Sequence, residues 1–207
     1  GGSLRNMGYS TFGVKPVAGA LGAEIEGLSL ADLSETQFAE VRQAFLEYSV
    51  VFFRDQTLTE EQHIAFALRW GEINVNRFFT PVATHPMIAE VRKEPDQERN
   101  IGRYWHADHS YDTVPALGSA LYAVEVPEYG GDTLFASMYR AYDALSSGMK
   151  KLLEGLNALH SSRHVFGYKH PETAVQDVIH PVVIRHPETG RKALFVNSNF
   201  TVQFENW

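Results

Sequence analysis

The residues best equipped for chemistry in this chain are His106 and Asp108, in the run Tyr-Trp-His-Ala-Asp-His-Ser at 104–110, followed by Gly130-Gly131-Asp132-Thr133. Imidazole and carboxylate are both metal-ligating groups. In an extended segment, residues two apart project to one side, so both could reach a single cation. They would then make two corners of a 2-His-1-carboxylate face, which holds Fe(II) and leaves three positions for a chelating co-substrate and dioxygen. Taken alone, His-x-Asp is a weak signal, common in surface strands and loops.

The elements that must position this pair can be read in order. Residues 12–17 and 21–27 predict two short strands around a turn at Gly19. Ser34 and Gln37 form a capping-box pattern for a helix whose Phe38, Val41, Phe45 and Tyr48 recur at helical spacing. Residues 49–54, apolar and β-forming, predict a central strand buried on both sides. Thr59 and Gln62 repeat the capping box for a second helix ending near Gly71. From 71 to 103 the pattern weakens, with one short strand at 87–92; a connection of this length reads as a lid or a mobile segment. Strands are expected at 119–126 and 132–136, flanking Gly130-Gly131. Ser137 and Ser146 are expected to cap two helices, and strands at 181–185 and 192–196 to close through Pro-Glu-Thr-Gly. Many short strands with helices before and between them argue for a β-sandwich or jelly roll with helical packing; composition does not separate these from another α+β fold.

Composition sets the bounds. With 207 residues, 44% hydrophobic and 12% aromatic, the chain can bury a sizeable core. A net charge of −7 without a basic run lacks the footprint of a nucleic-acid binder. No cysteine means no disulfide framework and no thiolate catalysis, which fits a reducing, cytoplasmic location. No apolar run is long enough to span a membrane. Gly1 to Asn6, ahead of Met7, read as an expression-tag remnant, leaving a single domain over 7–207.

The run Trp-His-Ala-Asp, the stretch 119–126 and Pro-Glu-Tyr-Gly-Gly-Asp-Thr-Leu-Phe at 127–135 together resemble the taurine dioxygenase and 2,4-dichlorophenoxyacetate dioxygenase family of Fe(II)/2-oxoglutarate oxygenases. The resemblance extends from about Val17 to Trp207 and includes Gly-Ala-Glu-Ile-Glu-Gly-Leu at 22–28, Leu-Glu-Gly-Leu-Asn-Ala-Leu-His at 153–160 and the block from His180 to Asn197. It implies a double-stranded β-helix with flanking helices, Fe(II) bound by His106 and Asp108, and Thr133 hydrogen-bonded to the 2-oxoglutarate carboxylate. The family's usual His-Thr-Asp reads His-Ala-Asp here, and the changed residue points away from the metal. Asn76 falls where the taurine enzyme carries a histidine for the sulfonate, and Phe79 where it carries a tyrosine. His109, Phe166 and Phe200 match positions walling the substrate pocket, although Phe166 and Phe200 also read as plain core. His160, His164, His170, His180 and His186 are expected to be surface or hydrogen-bonded structural residues.

In the family pattern a second iron histidine and an arginine for the distal 2-oxoglutarate carboxylate come well after the Ala-Leu-Phe-Val-Asn strand. The chain stops at Trp207, before that block, so the domain is expected to be C-terminally incomplete, without the last strands of the roll. The implied activity is hydroxylation of a small organic acid by dioxygen, with release of succinate and carbon dioxide. Blocks such as Ser-Met-Tyr-Arg-Ala-Tyr at 137–142 sit closer to the aryloxyalkanoate branch. The alternatives are a sulfonate or alkyl-sulfate dioxygenase and a non-catalytic binding protein on the same scaffold. Self-association is left open.

Overall fold

The structure is a computed structural model that describes residues 8–98, 100, 102–166 and 177–207. The chain divides into two compact units, Gly1–Glu72 with Leu121–Ser137, and Ile73–Ala120 with Met138–Trp207.

In the first unit, β1 (Gly13–Pro16) and β2 (Ala23–Glu26) pair antiparallel, as their alternation predicts. Helix α1 (Glu35–Tyr48) starts at a complete capping box: Ser34 accepts from the Gln37 amide, and the Gln37 side chain accepts from the Ser34 amide. It buries Val41 and Ala44 fully against Tyr9, Phe12, Val14, Ala23 and Ile25. Phe38 and Phe45 meet the edge and face of Trp70 at centroid distances of 5.1 and 5.2 Å. The strand expected at 49–54 is only β3 (Val51–Phe52), which runs parallel to β2 at one edge of the sheet and is half-buried, so the central, doubly buried strand is corrected. The left-handed Ser49 (φ 65°) closes α1 and leaves two residues to pair before Phe53 turns into the core. Helix α2 (Glu60–Leu68) has its own complete capping box from Thr59 and Gln62.

Residues 119–137 are irregular and mostly exposed, and the two strands expected there do not form. Leu121, Val124 and Val126 are 80, 91 and 70% exposed. Their alternation is strand-like, but among the described residues no strand pairs with them, and an unpaired strand has no ladder to hold it.

The second unit contains the hairpin β4 (Pro81–Val82) and β5 (His85–Ala89), then α3 (Met138–Asp143) and α4 (Ser147–Leu153), the latter capped by Ser146 on the Met149 amide. Next come β6 (Asn157–Ser161), α5 (Arg163–Phe166) and β7 (Asp177–Pro181). The hairpin β8 (Val183–Arg185) and β9 (Lys192–Leu194) turns through Gly190 at φ 72°, and β10 (Thr201–Phe204) ends the unit. Strands β10, β6 and β7 form an antiparallel sheet in that order, which sequence patterning missed. The fold is α+β with four small sheets and no closed barrel or roll among the described residues. No described helix is long and apolar enough to cross a membrane.

Glu40 on α1 pins the chain entry, accepting from the amide and hydroxyl of both Ser10 and Thr11. The Thr11 hydroxyl and the Ser10 amide hold its carboxyl down at about 2, against an ordinary 4.5. A depressed carboxyl contributes stability that is present above the unfolded value and lost as pH falls through the folded one. Glu40→Gln should therefore lower the melting temperature at pH 7, and its difference from wild type should shrink as pH drops from 4.5 to 2, as followed by circular dichroism.

Candidate metal and substrate site

His106 Nε2 lies 3.0 Å from Asp108 Oδ1. Two atoms each about 2.1 Å from one cation and at right angles to it lie about 3.0 Å apart, so this separation fits two neighbouring ligands of a first-row metal. His106 Nδ1 sits 2.7 Å from the Tyr104 carbonyl, which can only accept; Nδ1 therefore carries the proton and Nε2 is left for a metal. The expected extended geometry is not what achieves this: 108–111 form a turn, and Asp108 folds back towards the ring. Gly102, at φ 70°, matters here, because a Cβ on it would come within 3.3 Å of His106 Cε1. The Asp108 hydrogen bond raises the His106 pKa, against burial and helped by the Tyr104 carbonyl. The same bond, then the charges of His106 and His109, lowers that of Asp108 against burial.

Behind the exposed ligand candidates the chain dives inward: Ser110, Tyr111 and Asp112 are 0, 2 and 7% exposed. Asp112 accepts from Arg77 Nη1 at 2.9 Å, His109 Nδ1 at 2.9 Å and Asn74 Nδ2 at 3.4 Å, while its backbone carbonyl accepts from His180 Nε2 at 2.9 Å. Burial pushes the Asp112 carboxyl up, but the His109 and Arg77 hydrogen bonds, with the Arg77 charge, outweigh it and hold the group below the usual carboxylate range. His109 is left-handed at φ 58°, a conformation that costs roughly 1 kcal/mol outside glycine and that its bond to Asp112 offsets. Ser110 Oγ accepts from Asn197 Nδ2 and lies 3.3 Å from His160 Nδ1.

The pocket-wall candidates gather in this unit. Phe78 stacks on Phe166 at 4.2 Å, Tyr111 meets Phe200 at 4.7 Å, and Phe79 meets Phe166 at 6.4 Å. The His106 ring stands edge to face with Phe200 at 6.1 Å, so the aromatic cluster adjoins a ligand candidate. Asn76 Oδ1 accepts from the Phe78 and Phe79 amides, which fixes its side chain and leaves Nδ2 as its donor group. Phe200, 3% exposed, belongs to the core with Phe78 and Tyr111. Thr133 is exposed in the irregular segment of the first unit, whereas His106 and Asp108 belong to the second.

Sequence reasoning missed Arg77, Asp112 and Asn197; the His-x-x-Asp spacing of 109 and 112 was the available signal. Among the structural histidines, His160 is fully buried with Nδ1 against Ser110 Oγ, His180 serves Asp112, His164 contacts the Asn199 carbonyl, and His186 Nδ1 accepts from the amides of 188 and 189. His170 lies outside the described residues.

A histidine–carboxylate pair poised for one cation beside an aromatic cluster defines a candidate metal-dependent site for small molecules. Residues 13–207 match the model of the family described as Taurine catabolism dioxygenase TauD, TfdA family, and the chain belongs to that family. It is 35% identical over 205 residues to the (S)-phenoxypropionate/alpha-ketoglutarate-dioxygenase of Sphingobium herbicidovorans, covering 89% of this chain and 70% of the relative. It is 29% identical over 204 residues to the alpha-ketoglutarate-dependent sulfonate dioxygenase of Saccharomyces cerevisiae, covering 91% of this chain but only 50% of that protein. The chain thus spans half to about 70% of the length of these relatives. Among solved structures, a taurine dioxygenase from Burkholderia xenovorans superposes with a TM-score of 0.79 at 33% identity, over 96% of this chain and 68% of the other.

His106→Ala and Asp108→Ala should each weaken Mn(II) or Fe(II) binding by more than about 100-fold under anaerobic titration, because each removes a direct ligand. Unchanged affinity in both variants would remove the pair from the metal site. Burial, with the neighbouring His180 ring, pushes His160 down to about 4 from an ordinary 6.5. The folded state thus refuses a proton that the unfolded chain accepts, so this residue costs stability as pH falls from 6.5 to 4. Nitrogen-15 histidine spectra should show His160 still neutral at pH 5.

Proposed function

We propose that this chain is an oxygenase domain, over 7–207, that uses Fe(II), 2-oxoglutarate and dioxygen to hydroxylate a small organic acid. The observation that carries this is the His106 Nε2 to Asp108 Oδ1 separation of 3.0 Å, with Nδ1 already committed to the Tyr104 carbonyl. Iron, when bound, supplies the oxidising chemistry that couples decarboxylation of 2-oxoglutarate, to succinate and carbon dioxide, with hydroxylation of a C–H bond.

The chain's own residues prepare that step. Tyr104 keeps the His106 proton on Nδ1, Asp108 supplies the negative charge, and Thr133 is the hydrogen-bond donor proposed for the 2-oxoglutarate carboxylate. Asn76 Nδ2 donates to the anionic end of the substrate, with its amide held by two backbone N–H groups. Phe79, Phe166 and Phe200 keep water from the reacting carbon and orient an apolar body, and His109 completes the wall. A cytoplasmic location and a double-stranded β-helix for the whole protein are part of this proposal, drawn from the family.

Within the class, an aryloxyalkanoate-like carboxylate is the substrate we favour. An asparagine donates to an anion without adding positive charge, and phenylalanines offer edge and face contacts to an aromatic body. The phenoxypropionate-named relative is in keeping with this. A sulfonate substrate is the second reading, prompted by the name of the yeast relative; a non-catalytic binding protein is the third. Succinate formation measured in parallel with taurine, an alkyl sulfate and a phenoxyalkanoate should be greatest with the phenoxyalkanoate. Stimulation by taurine alone would reverse the substrate assignment and leave the cofactors in place, and no stimulation by any acid would favour the binding protein.

A further inference from the structure

We infer that the His109–Asp112 pair is a specificity determinant: Asp112 holds His109 as the Nδ1–H tautomer, so that Nε2 accepts a hydrogen bond from a donor on the substrate's carbon skeleton, a hydroxyl or an ammonium. This deepens the proposed function and rests on its placement of His109 in the pocket wall.

The tautomer follows from the acceptor. Asp112 is almost fully buried and clamped by Arg77 and Asn74, and an ionised carboxylate offers lone pairs only. The 2.9 Å contact to His109 Nδ1 therefore requires the proton on Nδ1. In the neutral ring Nε2 is then a lone-pair acceptor. Among the described residues no group partners Nε2, although the side chain is only 12% exposed. The backbone adds rigidity, since the ring is projected from a left-handed residue whose next neighbours, Ser110 and Tyr111, are buried. His109 follows Asp108 directly in the chain, next to the candidate metal ligands. Asn76 Nδ2 is a donor and His109 Nε2 an acceptor; together they suit a substrate with an acceptor such as carboxylate and, apart from it, a donor.

The test compares two probe acids that differ by one hydroxyl, 3-phenoxypropanoate and 2-hydroxy-3-phenoxypropanoate, by ligand-observed NMR titration of the full chain. The hydroxy acid should bind about threefold to tenfold tighter, the range of one net hydrogen bond. His109→Asn keeps a group where Nδ1 meets Asp112, suits the left-handed backbone, and lacks anything at Nε2, so it should stay folded and lose the preference. His109→Gln can place an oxygen near the Nε2 position and should retain part of it. A purely structural role predicts the reverse order. Long-range proton–nitrogen spectra should show His109 as the Nδ1–H form. Equal binding of the two acids, a preference surviving in His109→Asn, or an Nε2–H tautomer each overturns the inference and leaves the oxygenase reading standing. Binding of neither acid overturns the aryloxyalkanoate pocket and this inference with it.

Discussion

A carboxylate withdrawn from water must be met by donors, and in the second unit Asp112 is where that requirement is concentrated. Its oxygens collect Asn74 and Arg77 from one segment and His109 from another, and its backbone carbonyl receives His180 from β7. Removing any one donor would leave a buried charge partly unpaired, which is costly, so the three segments are held to a common geometry. The segment of Asn76 and Phe79 and the turn of His106 and Asp108 are thus anchored through the same group, a few residues from each.

The same turn is divided in its burial. His106 and Asp108 keep 27 and 61% of their side-chain surface, while Ser110, Tyr111 and Asp112 are almost wholly enclosed. Groups proposed to bind a metal have to face the space where it and its co-substrate arrive, whereas the precision of their placement has to come from residues that do not move. Packing of Tyr111 with Phe78, Phe166 and Phe200, and hydrogen bonding of Ser110 to Asn197, supply that immobility from the buried side. The aromatic residues therefore serve both readings entertained for them: Phe200 is core, and its ring also faces His106.

The first unit shows how far local signals reach. Both helix starts carry complete capping boxes at the residues where the sequence places them, because a cap is satisfied within four residues and needs nothing from elsewhere. Strands behave differently. The stretches 119–126 and 132–136 have the β-branched content of strands, yet among the described residues they join no sheet and are mostly exposed. A strand is defined by the neighbour that shares its ladder, and no pattern within the segment supplies one.

What the sequence by itself determined is the chemistry on offer and the local punctuation: a His-x-Asp pair, the capped helices, the hairpin turn at Gly190, and the family to which the ordered blocks point. Tertiary structure alone decided the rest. It made the His106–Asp108 approach through a turn rather than a strand, enlisted the Tyr104 carbonyl to set the ring's proton, and took Asp112 into the interior. It also built the β10-β6-β7 sheet from short segments with little pattern of their own. The physical reason is common to all of these: burial and non-local hydrogen bonding are properties of pairs of segments distant in the chain, and a single sequence records each partner without recording that they meet.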